Sequence, residues 1–237
     1  MGAMSCIMYM IFKRLEHKPH HISRAVLLSP AGYFKTAPII MKIGGPIINA
    51  ILPWIPLYSF RFPSEFIQLL IAKIMEDVNS AYPTRTIASY IAYQLLGGRK
   101  DKHAFVTTHG ITHNIFAGTS VGVYSHFWQL WRTKTFQAFD YGEKKNLQVY
   151  GTKEPLNFFK HYDKIDVPVY IAMGLRDRLI TPPSVLLHYS ILNAAKPELA
   201  HIKAFPYLGH IDFTLQVHHD LHQYVFKALK GQDDDTK

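Results

Sequence analysis

The sequence has 237 residues, 48% of them hydrophobic and 18% charged, which is enough apolar material for a buried core and unlike a disordered chain. Its 26 Lys and Arg against 17 Asp and Glu leave a formal charge of +9 and favour anionic partners. However, the basic residues fall into short scattered pairs (Lys13-Arg14, Arg99-Lys100, Lys144-Lys145) with no interleaved aromatic motif, so no nucleic-acid partner is expected. Cys6 is the sole cysteine, which excludes an intrachain disulfide and a cysteine-stapled secreted scaffold.

In chain order, the first predicted element is a helix over 3–15, whose first turns carry the small residues Gly2, Ala3 and Ser5, suited to close packing against a strand. Its apolar part precedes Lys13, Arg14 and Glu16, the reverse of a secretory signal's charge order. The run Ala25-Val26-Leu27-Leu28 is continuously apolar, as expected of a parallel strand covered on both faces, and Ser29-Pro30-Ala31-Gly32 ends it. From 33 to 166 the pattern becomes apolar helical segments broken by proline and glycine, with aromatic clusters at 54–66 and 127–139; this stretch reads as a helical cap inserted into a core. Residues 39–60 approach membrane-spanning length, but Lys42, Gly44-Gly45-Pro46, Pro53 and Pro56 break them into two short helices.

Core-like alternation resumes with a strand over 168–173 ending at Gly174, and Asp177 follows at once. Pro182 and Pro183 open a helix to about Asn193, since proline is tolerated in a first helical turn. A third strand over 202–205 leads through Pro206-Tyr207-Leu208-Gly209 to His210. A closing helix is predicted over 215–229, followed by a disordered acidic tail over 231–237 with Asp233, Asp234 and Asp235. The expected fold class is α/β, with core pieces at 1–32 and 167–230 contributing to a mainly parallel sheet and the cap between them.

The order of elements has a chemical meaning. Met1-Gly2 ahead of the first helix reads as the last two positions of a G-x-S-x-G nucleophile elbow, with Asp177 and His210 following in the order Ser, Asp, His. Both residues lie just past the C-terminal ends of predicted strands, where open α/β sheets place their ligands. The one G-x-S-x-G match, Gly118-Thr119-Ser120-Val121-Gly122, lies inside the expected cap and between no core strand and helix, so the start is expected to be a cut edge with the serine immediately before Met1. In an intact chain the Met1 backbone N–H would be one oxyanion donor; as a free ammonium it is not a peptide donor.

More specific landmarks point the same way. Thr112-His113 with Ala117-Gly118-Thr119-Ser120, Phe136-Gln137-Ala138-Phe139-Asp140-Tyr141-Gly142, Gly174-Leu175-Arg176-Asp177, Gly209-His210-Ile211-Asp212-Phe213 and Leu28-Ser29-Pro30-Ala31-Gly32 together resemble the acid and gastric lipase family of α/β-hydrolases, closest to its intracellular plant and protist members. The resemblance covers nearly the whole chain. It implies hydrolysis of neutral lipid or other acyl esters through an acyl-enzyme, with Asp177 orienting His210 as general base and with no cofactor or metal. The implied partners are a lipid or acyl-ester substrate and, peripherally, a membrane or lipid-droplet surface; an intracellular location is favoured. Without the serine, the chain itself is expected to be inactive. Two alternatives share the scaffold: an acyltransferase, and a non-catalytic protein whose apolar cap binds lipid or protein.

Other candidates have plainer readings. Ser5 follows Gly2 but lies inside the helix and reads as a packing residue, and Ser29 reads as structural. Asp212, two residues past His210, reads as a cap of the last helix. His109 and His113 have i, i+4 spacing without the glutamate of H-E-x-x-H, so no zinc site is expected there. His20-His21 and His218-His219 read as solvent-facing. Gly97-Gly98-Arg99-Lys100 lacks the phosphate-loop frame and reads as a helix-ending turn. Residues 39–66 are expected to form a lid over an acyl-chain pocket.

Overall fold

A computed structural model describes residues 1–36, 65–100, 119–215 and 218–232, together with positions 42, 45–47, 50, 59 and 60. In the first helix, α1 (Gly2–Leu15), Met4, Ile7, Met10 and Ile11 are buried, a spacing that forms one apolar stripe. Of the small residues in its first turns, Ala3 packs against the core cluster beside buried Met4, whereas Ser5 is exposed and a Cβ at Gly2 would meet nothing within 4 Å. The chain then forms β1 (Ala25–Leu28), a two-residue β2 (Ser59–Phe60), and the helices α2 (Glu65–Ser80) and α3 (Tyr82–Leu96), which pack on each other. After β3 (Thr119–Ser120), which pairs antiparallel with β2, comes α4 (Val121–Thr133), whose Val123 N–H is capped by Ser120 Oγ at 3.1 Å. Next come α5 (Glu143–Tyr150) and a 3-10 segment (Phe158–Lys164). The chain closes with β4 (Val169–Gly174), α6 (Pro182–Ala195), β5 (Ala200–Phe205), α7 (Asp212–Leu215) and α8 (His219–Lys230).

Strands β1, β4 and β5 form a parallel sheet in the order β1-β4-β5, with Ala25 opposite Val169 and Val169 opposite Ala200. Parallel neighbours need long crossovers; α6 and its flanking loops serve β4 to β5, and residues 29–168 serve β1 to β4. The central strand β4 is buried at every position because both of its faces are covered. Val169, Ile171 and Met173 join a cluster with α1, α6 and the 3-10 segment, whereas Tyr170 and Ala172 join Leu221, Tyr224 and Ala228 of α8 on the other face. That two-sided cover explains why β1 and β4 read as unbroken apolar runs and not as alternating ones. Each large aliphatic side chain buried there contributes about 1.5–3 kcal/mol.

Phe136, Ala138, Phe158, Tyr162 and Ile165 pack into the same cluster as α1 and β4. Phe136 and Phe158 are fully buried with ring centroids 5.0 Å apart, and the Phe158 N–H donates to the Phe136 carbonyl at 2.8 Å. Among the described residues, no helix is long and apolar enough to cross a membrane.

Three sequence expectations differ from the structure. The closing helix starts at His219, not near 215. His218 has extended backbone (φ −117°, ψ 109°), and Asp220 sits in the helix's first turn, where a carboxylate favours the positive end of the dipole. Strand β5 likewise begins two residues earlier, at Ala200. His20 is not solvent-facing: it is buried at 4% exposure, its Nε2 bonds Asp166 Oδ1 at 2.8 Å, and its Nδ1 accepts the Ile22 N–H at 3.1 Å. Asp166 also pairs with Arg14 at 2.5 Å. Burial opposes ionisation of Asp166, but hydrogen bonds from His20 and Arg14 prevail and hold its carboxyl below the usual range. The cluster ties the end of α1 to the approach of β4, across 146 residues of sequence. His20→Ala is expected to cost about 1–2 kcal/mol in urea unfolding, because it unpairs the Ile22 N–H and one oxygen of Asp166. A loss indistinguishable from that of His21→Ala, an exposed neighbour, would contradict this role.

Candidate active site

The site forms where the loops after β4 and β5 run side by side. Backbone pairing continues past both strands: the Leu175 N–H donates to the Phe205 carbonyl at 3.0 Å, and the Arg176 N–H donates to the Leu208 carbonyl at 3.1 Å. Gly174 allows this approach, since a Cβ there would lie 2.5 Å from the Leu208 carbonyl oxygen. The zipped loops bring Asp177 and His210 together, with His210 Nδ1 at 2.9 Å from Asp177 Oδ2.

The Asp177 carboxylate is completely buried and fully bonded. Its Oδ1 accepts the N–H groups of Leu179 at 2.9 Å and Ile180 at 2.7 Å, a local turn that aspartate commonly makes. Its Oδ2 accepts from His210 and from Ser29 Oγ at 2.7 Å. Burying a charge without partners is costly; four donors offset that cost. A carboxylate only accepts, so His210 Nδ1 carries the proton of this contact, which in a neutral imidazole makes Nε2 the acceptor. The His210 side chain is 29% exposed and therefore reachable from solvent.

A third wall comes from the end of α3. The Leu96 carbonyl accepts the His210 N–H at 3.1 Å, the Gly98 N–H donates to the Arg176 carbonyl at 3.2 Å, and Gly97 bridges Asp177. Gly97 ends the helix as expected, with φ +81°. The contact with both loops was not legible in the sequence; a paired glycine just after a helix was its only signal. The Arg178 guanidinium stacks on the Tyr93 ring at 4.3 Å and donates to Gln94 Oε1, closing the same junction.

His210 lines a groove of about 830 Å³ with Met1, Ser29, Phe34, Phe127 and Ile180. The groove runs along the outer edge of β1, which has no strand partner on that side among the described residues. Met1 is 59% exposed, and its carbonyl accepts the Ser5 N–H at 3.1 Å as the first helical bond; partial burial pushes its amine pKa down. Ser5 does not line the groove. Asp212 is buried and accepts the Gly209 N–H at 2.7 Å as the first residue of α7, so it secures the turn before His210 and does not cap the last helix. Among the described residues, no group of three or more His, Cys, Asp or Glu side chains is placed to hold a metal ion. His109, His113, Thr112, Ala117, Gly118, most of the expected lid at 39–66 and the tail from Asp233 onward lie outside the described residues.

No protein-family model matches the chain. It is similar to triacylglycerol lipase 1 of Arabidopsis thaliana, at 22% identity over 233 residues that take in 91% of this chain and 53% of the relative. The chain resembles a lipase. It spans about half the length of that relative, and its helices around a small parallel sheet are compatible with part of an α/β fold.

Proposed function

We propose that this chain carries the acid and the general base of a serine-type lipase or carboxylester hydrolase acting on neutral lipid or other acyl esters. The observation that carries the reading is the 2.9 Å contact between His210 Nδ1 and the buried Asp177 carboxylate, beside an apolar groove. The similarity to a triacylglycerol lipase supports the substrate class. In this reading residues 1–32 and 167–230 belong to the hydrolase core, 33–166 form its cap, and the protein touches a membrane or lipid-droplet surface peripherally.

In the reaction, His210 Nε2 takes the proton of the nucleophile's hydroxyl as its oxygen attacks the ester carbonyl. The resulting imidazolium is stabilised by Asp177 and then returns the proton to the departing alcohol. Water repeats the sequence to release the acid. The tetrahedral oxyanion needs fixed N–H donors, and a Met1 N–H within a peptide bond is one of them. In this reading the nucleophile is a serine from outside residues 1–237: the one G-x-S-x-G within them, Gly118 to Gly122, gives Ser120 an ordinary extended backbone (φ −78°, ψ 149°), its Oγ caps α4, and Ser120 does not line the groove with His210.

The test is ester turnover. Residues 1–237 alone are expected to be inert toward p-nitrophenyl esters. In a polypeptide extended upstream through a G-x-S elbow, His210→Ala is expected to lower kcat/KM by roughly 10³-fold or more and Asp177→Asn by a comparable factor. Full activity in either variant, or turnover by residues 1–237 that Ser5→Ala abolishes, would overturn the assignment.

A further inference from the structure

Ser29 stands apart from every other serine in the described chain. It ends β1 with φ +45°, in the left-handed region that non-glycine residues seldom occupy, and it is 3% exposed. Its N–H completes the ladder to the Ala172 carbonyl at 2.9 Å, so the backbone is held firmly. Its hydroxyl donates to Asp177 Oδ2 at 2.7 Å, the same oxygen that His210 uses. Strain of this kind persists where the surroundings impose it, and such sites cluster around function. Glycine would occupy the position without strain but would offer no donor.

We propose that Ser29 is a positioning residue that fixes the Asp177 carboxylate for His210. This rests on the proton-transfer reading above. The two backbone N–H groups of Leu179 and Ile180 grip only Oδ1, which leaves the carboxylate free to swing about its last side-chain bond. The Ser29 hydroxyl pins Oδ2 from the neighbouring strand, so that its remaining lone pair is aimed at the His210 Nδ1–H. A carboxylate held at both oxygens keeps the imidazole in one tautomer, which general-base chemistry requires. Ser29 is not the nucleophile, because a nucleophile must give its proton to the imidazole and this hydroxyl gives its proton to the carboxylate.

The deciding measurement needs no turnover. The low-field proton resonance of His210 Nδ1–H is followed by NMR in isotope-labelled chain 1–237, in Ser29→Ala and in Ser29→Gly, with amide spectra reporting the fold of each. Both variants are expected to exchange that proton with water about tenfold faster or more, since each loses the hydroxyl bond. Ser29→Gly also relieves the backbone, so it stays folded even where Ser29→Ala does not. Exchange as slow as wild type in Ser29→Gly would overturn the positioning role and leave only a backbone role. Covalent labelling of Ser29 by a fluorophosphonate would overturn it in favour of a nucleophile. Absence of the resonance from the wild-type chain would instead sink the Asp177–His210 reading, and this proposal with it.

Discussion

Gly97→Ala is expected to lower stability by about 3 kcal/mol and to loosen His210 from Asp177 in the same step. A Cβ at Gly97 would lie 1.7 Å from the Arg176 carbonyl oxygen, where the obstacle is backbone and not a side chain that can swing away. The residue also has φ +81°, which costs an alanine further strain. Overpacking of this kind and an unfavourable φ each cost about 1–3 kcal/mol. Because Leu96 holds the His210 N–H and Gly98 holds the Arg176 carbonyl, displacing Gly97 pushes the acid loop and the histidine loop together or apart as a unit. Gly142→Ala is the control: φ is +85° there, but nothing lies within 4 Å of the added carbon. Urea unfolding of the two variants separates strain from close approach. Equal losses would show that α3 does not brace the site.

Acidification is the second large effect, and it acts through a group that does not line the groove. His188 is completely buried among Phe136, Phe159 and Tyr162, and desolvation pushes its pKa down to about 3. Tyr162 OH lies 2.5 Å from His188 Nδ1, and burial raises the pKa of that phenol, so the tyrosine keeps its proton and donates it. His188 Nε2 has no hydrogen-bond partner. Above about pH 6.5 the imidazole is neutral whether the chain is folded or unfolded. Between about 6.5 and about 3 the unfolded chain binds a proton that the folded chain does not, so stability falls as pH falls through that window. The slope approaches 1.4 kcal/mol per pH unit, which amounts to about 2 kcal/mol at pH 5. His188→Gln keeps an acceptor for Tyr162 but cannot titrate. Its loss of stability between pH 7 and pH 5 is therefore expected to be about 2 kcal/mol smaller than that of the wild type. The same pH dependence in both proteins would mean that His188 titrates normally.

Several elements were legible because their signals are local. The apolar run at 25–28 marked β1 to the residue, and Pro182 with Pro183 marked the start of α6, since a ring that fixes φ and lacks an N–H fits a first helical turn. The strand-end positions of Asp177 and His210 could be read from order alone, because two adjacent parallel strands deliver their following loops to the same edge. Signals weakened wherever a residue's partner is distant. His20 looked like one of many polar histidines until Asp166 covered it, and the last helix began later than hydrophobic periodicity suggested because the extended backbone at His218 delays it.

By itself the sequence determined which segments are strand and helix in the core, the placement of an acid and a histidine after consecutive strands, and the likeness to a lipase. Those features follow from side-chain periodicity, turn residues and motif spacing within short windows. The tertiary structure alone decided that Ser29 shares an oxygen of Asp177 across 148 residues and that the end of α3 braces both loops. It also decided that His188 is completely buried, which desolvates the imidazole and lowers its pKa. Each of these depends on which groups meet when the chain closes on itself, and hydrogen bonds between distant residues leave no periodic trace in the segments that make them.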